Sequence, residues 1–132
     1  MKLEKKRYDD VVILKFAGEF DAFNLPTFSQ RIDAMIDAGD RWLVLDLFLL
    51  KFINSAALGY LIKTSRRVKD LQGEMVLARP SRFIRKTLST LGLESVFPIF
   101  ESVEDATAAI SEIIGAGIIP AASPNQLCGS AS

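Results

Sequence analysis

Hydrophobic residues along the chain alternate between continuous runs typical of strands and spaced stripes typical of helices. Residues 11–17 form a β-branched, apolar run, which predicts a buried strand that ends at Gly18. Asp9-Asp10 predicts a turn, so residues 3–8 are expected to pair with that strand in a hairpin. Apolar residues then recur every three or four positions from Leu25 to Ile36, which predicts a helix.

The rest of the chain repeats a strand followed by a helix. Three such pairs are predicted, at residues 42–47 and 55–72, 74–78 and 80–91, and 96–100 and 103–114. In the third helix, Phe83 and Leu91 are expected to face inward with the other apolar positions. Pro98 cannot donate a ladder hydrogen bond, which places the last strand at an edge. The order ββαβαβαβα predicts an α/β fold with a mixed, mostly parallel β-sheet, an N-terminal hairpin and four α-helices.

The C-terminal residues differ in composition from the rest. Residues 115–132 contain no charged side chain and are rich in Gly, Ala, Ser and Pro, which predicts a flexible tail. Cys128 lies in this segment and is interpreted as an incidental free thiol. We therefore expect a single domain at residues 1–114, a size at which one hydrophobic core is usual.

Composition argues against catalysis. The chain has 132 residues, one cysteine and no histidine, so a Ser-His-Asp triad, a Cys-His pair and imidazole-bound metal are excluded. One cysteine cannot form an internal disulfide, which fits a reducing compartment. We expect a protein that is not an enzyme and has no catalytic residue, metal or cofactor.

The sequence predicts a cytoplasmic protein without stable membrane insertion. Basic residues near the N-terminus are not followed by an apolar run of the signal-peptide type. The most hydrophobic stretch, residues 42–50, is interrupted by Asp46 and is too short to span a bilayer.

The charges balance in total but are separated along the chain. Residues 63–86 carry 8 basic and 2 acidic side chains, whereas residues 87–132 carry 5 acidic and no basic ones. The basic cluster fits either two solvated helix faces or a surface for an anionic partner. Direct nucleic-acid binding is not expected, because the only aromatic side chain among these charges, Phe83, fits the buried stripe.

The most informative segment joins the strand at residues 42–47 to the following helix. Asn54 and Ser55 both belong to the residue types preferred at a helix N-cap, and a cap alone would explain them. Ala56, Ala57 and Gly59 are small, however, and would leave the Ser55 hydroxyl accessible to a docking partner. The segment also follows the carboxyl end of a parallel strand, where open α/β sheets place their functional sites.

Three motifs together resemble one known family. Gly18-Glu19-Phe20-Asp21 follows the second strand, and residues 45–53 match that family's third strand together with the segment that follows it. Asn54–Gly59 stands where its members typically have Asp-Ser-Ser-Gly-Leu-Gly. On these residues the chain resembles the bacterial anti-sigma factor antagonists, whose fold is the STAS domain. The resemblance covers about residues 3–114, with Asn54 and Ala57 as departures from the pattern.

The resemblance implies a function and a site. In that family the serine at the position of Ser55 is phosphorylated by an anti-sigma factor that is itself a serine kinase. The unphosphorylated antagonist binds this partner and frees a sigma factor, and phosphorylation breaks the complex. The implied partner-binding residues are Glu19, Asp21, Phe23, Asn24, Asn54, Ala56, Ala57 and Gly59, with Phe23 as a candidate exposed anchor.

Two alternatives belong to other classes. STAS-like domains also occur as non-catalytic accessory modules of transporter and lipid-trafficking systems, which the basic cluster and Asn54 would suit. A phospho-aspartate receiver with Asp46 as acceptor is disfavoured, because a receiver's first strand leads directly into a helix and this chain opens with a hairpin. Asp46 is instead expected to form hydrogen bonds with a neighbouring turn.

Overall fold

The computed structural model of the chain describes residues 2–115, which form five strands and four helices. The strands are β1 (Lys2–Tyr8), β2 (Val11–Phe20), β3 (Trp42–Ile53), β4 (Glu74–Ala78) and β5 (Ile99–Phe100). The helices are α1 (Leu25–Asp37), α2 (Ser55–Asp70), α3 (Arg82–Thr90) and α4 (Val103–Gly115), and a 3-10 turn covers Leu93–Ser95. This order confirms the predicted α/β fold class.

The five strands form one sheet in sequence order, β1-β2-β3-β4-β5. The β1–β2 pair is the antiparallel hairpin, and the remaining neighbours are parallel. Right-handed crossovers that all advance in one direction place their helices on the same face of the sheet. Accordingly, α1, α2 and α3 share one hydrophobic core, whereas α4 packs on the opposite face.

The larger core lies under the helices that begin at the carboxyl ends of β2 and β3. It contains Phe16, Phe20 and Phe28, whose rings lie 5.6 to 6.5 Å apart between centroids. Aromatic rings at this spacing pack favourably beyond their simple burial. The cluster therefore supports the backbone from which the loop after β2 and the start of α2 emerge.

Several element boundaries differ from the prediction. Gly18 has a positive φ of 110°, yet β2 continues past it to Phe20. Strand β3 extends to Ile53 instead of ending near residue 47. The last strand has only two residues, but its edge position is confirmed. Phe83 in α3 and Leu91 directly after it are both 56% exposed, so the prediction that they face inward is wrong.

Helix α4 ends at Gly115, which is the first residue of the predicted tail. The rest of the predicted tail, residues 116–132 with Cys128, lies outside the described residues.

Candidate functional site

Ser55 begins α2 at the carboxyl edge of the sheet. The capping residue is Asn54, whose side-chain oxygen accepts a hydrogen bond from the Ala57 N–H at 2.7 Å. The Asn54 N–H donates to the Phe20 carbonyl at 3.0 Å, which fixes the start of α2 to the end of β2. Because Asn54 does the capping, the exposed Ser55 hydroxyl makes no hydrogen bond within residues 2–115.

The exposed residues next to Ser55 on α2 are small, so little protrudes around the Ser55 hydroxyl. Ala56 and Gly59 are exposed, and a Cβ built on Gly59 would meet no heavy atom within 4 Å. Ala57, in contrast, is 0% exposed and packs in the main core. The expectation that Ala57 contributes to the partner surface is therefore corrected, because its position in the first turn points toward the sheet.

The loop after β2 lies beside this helix start. Glu19 pairs in register with Phe52, and Phe20 pairs with Ile53, so the loop emerges next to Asn54. The structure thus brings together the two segments that the sequence motifs singled out. Glu19, Phe23, Asn54, Ser55, Ala56 and Gly59 are at least partly exposed along this edge.

Hydrogen bonds define the shape of the loop. The Asp21 carboxylate accepts from the Asn24 N–H at 3.0 Å, and the Asn24 side chain donates to the Glu19 carbonyl at 2.9 Å. Asn24 precedes α1 but its side chain makes no capping hydrogen bond. The half-buried Asp21 and Asn24 therefore hold the loop, while Phe23 projects from it with 88% of its surface exposed. An aromatic side chain this exposed is a suitable anchor for a partner.

The sequence reasoning missed the exposed end of β3. Phe48, Leu49 and Phe52 are each at least 40% exposed and lie beyond residue 47, where the predicted strand ends. Register shifts relative to β2 occur along this part of β3, and they break the alternation of inward and outward side chains. The apolar run continues to Ile53 with only Asp46 and Lys51 interrupting it, and it was the available signal for a longer strand.

Asp46 has a structural environment. It is 4% exposed and accepts hydrogen bonds from the Phe48 N–H at 3.1 Å and from the Arg79 guanidinium at 3.2 and 2.7 Å. The hydrogen bond to Asp46 raises the pKa of Arg79 above its ordinary value. Arg79 also lies 4.5 Å from the centroid of the Phe48 ring. Asp46 therefore forms hydrogen bonds, but its backbone partner lies in its own strand and its other partner is the Arg79 side chain, not the neighbouring turn that was predicted.

Half of the basic cluster is neutralised inside the domain. Arg67 pairs with Asp33 and Asp37, and the other ion pairs are Lys69–Glu74, Arg79–Asp46 and Arg85–Glu101. The other four cations, which are exposed and make no ion pair within residues 2–115, are Lys63 and Arg66 in α2 and Arg82 and Lys86 in α3.

The described residues show neither a candidate metal centre nor a membrane span. Across residues 2–115, no three His, Cys, Asp or Glu side chains cluster to hold a metal ion. In the same range no helix has the length and hydrophobicity to cross a membrane. A groove of about 750 Å³ lies between α4 and the β1–β2 hairpin, on the opposite face of the sheet from α2. A more open depression of about 690 Å³, lined in part by Glu19, Asn24 and Leu49, lies beside the loop after β2.

Comparison with known proteins identifies both the family and the fold. The family model described as the STAS domain matches residues 2–106. BtrV from Bordetella bronchiseptica, which is assigned as an anti-sigma factor antagonist, is 32% identical over 109 residues. The match spans 83% of this chain and 94% of BtrV.

Two solved proteins share the fold. A crystal structure from Thermotoga maritima, likewise assigned as an anti-sigma factor antagonist, has a TM-score of 0.79 at 24% identity and covers 83% of this chain and 94% of that one. The anti-sigma factor antagonist SpoIIAA in its unphosphorylated form has a TM-score of 0.75 at 20% identity, over 85% of this chain and 98% of SpoIIAA. The phosphorylated form of SpoIIAA, from Bacillus, has a TM-score of 0.68 at 20% identity, over 83% of this chain and 99% of SpoIIAA.

Proposed function

The chain belongs to the STAS domain family of bacterial anti-sigma factor antagonists, and from this membership we propose that it binds an anti-sigma factor of the serine-kinase type and thereby releases a sigma factor. We further propose that phosphorylation of Ser55 by this partner dissociates the complex. The protein would act in the cytoplasm and perform no catalysis itself. Its binding surface is the edge formed by the start of α2 and the loop after β2.

The exposed hydroxyl of Ser55 is the observation that carries the proposal. It lies at the first position of α2, is not used for capping, and has small exposed neighbours on the helix. A kinase active site can reach such a hydroxyl without local unfolding. The exposed Phe23, in the loop after β2, supplies an apolar contact for the same partner.

The switch follows from the different environments of the phosphate in the free and bound states. A phosphate adds about −1.5 to −2 charges. In the free protein it would lie at a helix N-terminus, which favours an anion by about 0.3–1 kcal/mol. In the complex, a partner surface shaped around a neutral hydroxyl would bury that charge without a counter-ion, at a cost of several kcal/mol. Each ~1.4 kcal/mol weakens the affinity tenfold, which is sufficient for release.

The departure at Asn54 is compatible with this switch. Its amide oxygen caps α2 as an aspartate oxygen would, so the backbone at Ser55 is held in place. The free protein then carries one negative charge fewer beside the phosphorylation site. We expect the partner's surface to differ from that of antagonists with aspartate at this position.

A phosphorylation assay tests the proposal directly. The full chain is incubated with ATP and each candidate anti-sigma kinase from its genome, and phosphate is located by mass spectrometry. We expect phosphate on Ser55 and none in the Ser55→Ala variant. Ser55→Asp should abolish binding to the anti-sigma factor. The control Ser89→Asp places the same charge at an exposed position near the C-terminal end of α3 and should bind normally.

A second test uses the open space at Gly59. Gly59→Leu adds a side chain on the exposed face of α2, where a Cβ has no heavy atom within 4 Å outside the helix's own neighbouring backbone. Replacing a glycine inside a helix by leucine should stabilise the fold by about 0.5–1 kcal/mol. We expect binding to fall at least tenfold in spite of the more stable fold. Normal binding by this variant and by Ser55→Asp would reject the proposed surface and favour the accessory-module alternative.

A further inference from the structure

The exposed residues of α2 form a continuous stripe that starts at Ser55. Ala56, Gly59, Lys63 and Arg66 are all exposed, and their spacing of three or four residues places them on one side of the helix. We refer to these four residues as the α2 stripe. The stripe begins with two small residues and ends with two cations. The exposed Asp70 then ends the helix.

The two cations of the stripe differ from their neighbours on the helix flanks. Arg67 pairs with Asp33 and Asp37, and Lys69 pairs with Glu74. Lys63 and Arg66 make no ion pair within residues 2–115 and face solvent. The fold thus balances the charge on the flanks of α2 with its own carboxylates and leaves the stripe positive.

Distance along the helix relates these cations to the site at Ser55. At a rise of about 1.5 Å per residue, Lys63 lies roughly 12 Å and Arg66 roughly 16 Å along the axis from Ser55. A standard interface buries about 800 Å² on each partner, which corresponds to a disc of roughly 16 Å radius. An interface centred on Ser55 therefore reaches both cations at its rim.

We propose that Lys63 and Arg66 form a basic rim of the partner-binding surface and face carboxylate side chains of the anti-sigma factor. This inference rests on the proposed function. It further specifies that the facing surface of the anti-sigma factor is acidic and that the contact extends along α2 to Arg66. Opposite charges at a solvent-exposed rim accelerate association, because they steer the encounter of the two proteins. They contribute little to holding the complex, because water and salt screen them.

Association kinetics test this inference. Full-length protein and the anti-sigma factor are mixed in a stopped-flow instrument at low and high ionic strength, and association and dissociation rates are measured separately. We expect Lys63→Glu combined with Arg66→Glu to slow association by about tenfold at low salt, and to change dissociation by about twofold or less. The difference from the wild type should shrink at about 0.5 M salt, where the screening length falls to a few ångströms. The neutral pair Lys63→Gln and Arg66→Gln should give an intermediate rate.

The matched control reverses two other exposed cations. Arg82→Glu combined with Lys86→Glu changes the net charge by the same amount on α3, outside the stripe. We expect association within about twofold of the wild type. An equal slowing by both double variants would show a general effect of net charge and would overturn the local inference.

The remaining outcomes separate this inference from the proposed function. Unchanged or faster association of the α2 double variant, while Ser55→Asp still abolishes binding, would overturn the basic rim and leave the proposed function standing. Failure of the wild-type protein to bind any anti-sigma factor of its genome would overturn both. All variants lie at exposed positions, and equal urea midpoints will establish that a slower rate does not reflect unfolding.

Discussion

Asn54 links the two halves of the candidate site through one side chain and one backbone group. Its side chain caps α2 and its N–H binds the Phe20 carbonyl. We expect Asn54→Ala to lower the free energy of unfolding by about 1 kcal/mol, because the Ala57 N–H loses its partner. Asn54→Asp keeps the capping oxygen and adds a charge that the helix dipole favours, so it should stabilise the protein by about 0.3–1 kcal/mol at low salt.

Urea denaturation of the three proteins measures both effects. The slope of the free energy of unfolding against urea concentration should be unchanged, because neither substitution alters the surface exposed on unfolding. Equal stability of Asn54→Ala and the wild type would show that the cap in the structure contributes nothing. A loss of stability in Asn54→Asp would mean that nearby carboxylates outweigh the helix dipole.

Arg79 neutralises a carboxylate that the fold has buried. Asp46 is 4% exposed, while about one third of the Arg79 side chain remains in contact with solvent. We expect Arg79→Met to lower the free energy of unfolding by about 1–2 kcal/mol, since the buried charge loses its counter-ion but keeps the Phe48 N–H. Arg82→Met, at an exposed position outside any ion pair of residues 2–115, should change it by no more than about 0.5 kcal/mol. Thermal and urea unfolding will compare the two, and equal effects would contradict this role for Asp46.

At the residue scale, sequence could identify Ser55 but not which neighbours face outward. The motif shows that the residues after Ser55 are small. Only the orientation of α2 on the sheet shows that Ala56 and Gly59 face solvent while Ala57 faces the core. Capping illustrates the same limit. Two adjacent residues had suitable side chains, and the backbone geometry assigns the cap to Asn54.

At the scale of elements, helices were easier to predict than the ends of strands. A helix stripe extends over many residues, and α1, α2 and α4 lie close to their predicted positions. The end of strand β3 was not predicted, because its register shifts break the two-residue alternation by which a strand is identified. Strand β5 is shorter than predicted, because only two of its residues pair with β4. In α3 the apolar spacing included Phe83, although a nine-residue helix at the edge of the sheet buries only Ile84 and Leu88.

Tyr60 joins α2 to α1 and makes their packing dependent on pH. Its hydroxyl donates to the Asp33 carboxylate at 2.8 Å, and burial together with this hydrogen bond raises the pKa of Tyr60 well above its ordinary value of 10.0. Above pH 10 the unfolded chain loses this proton while the folded protein keeps it. The stabilisation by the neutral phenol is therefore complete below pH 10 and decreases as pH rises further, by up to about 1.4 kcal/mol per pH unit.

The comparison between wild type and Tyr60→Phe isolates this effect. The stability difference between the two proteins should be constant from pH 7 to 9 and should shrink at pH 10 to 11, as measured by urea denaturation. Tyr8→Phe is the control, because Tyr8 is 59% exposed. A difference that grows with pH would contradict the direction given for Tyr60.

For the whole molecule, the zero net charge conceals how the charges are used. Ion pairs such as Arg7–Asp40 and Arg67–Asp33 connect elements that are distant in sequence, so part of the charge is already paired within the fold. Sequence could count the charges but could not pair them, since pairing depends on which helices and strands become neighbours. Lys63 and Arg66 along α2, which make no ion pair within residues 2–115, are the part of this balance that we propose faces the partner.

The predicted domain boundary can be tested by truncation. Residues 2–115 contain both hydrophobic cores and all strands of the described sheet. We expect a chain that ends at Gly115 to keep the free energy of unfolding within about 1 kcal/mol, which would leave most of the 5–15 kcal/mol typical of a domain. It should also bind the same partner, because the Ser55 surface lies on the other face of the sheet from α4.

A chain that ends at Glu101 provides the contrasting case. It lacks α4, whose Ala106 and Ile110 are fully buried against Trp42 and Val44. Loss of Ile110 alone removes about 1.5–3 kcal/mol of burial, and the strand residues beneath α4 would add to this loss. We expect that this chain shows no cooperative unfolding transition when urea denaturation is followed by circular dichroism. If the chain ending at Gly115 also lost its cooperative transition, the domain would have to include residues beyond 115, because α4 and both cores would still be present.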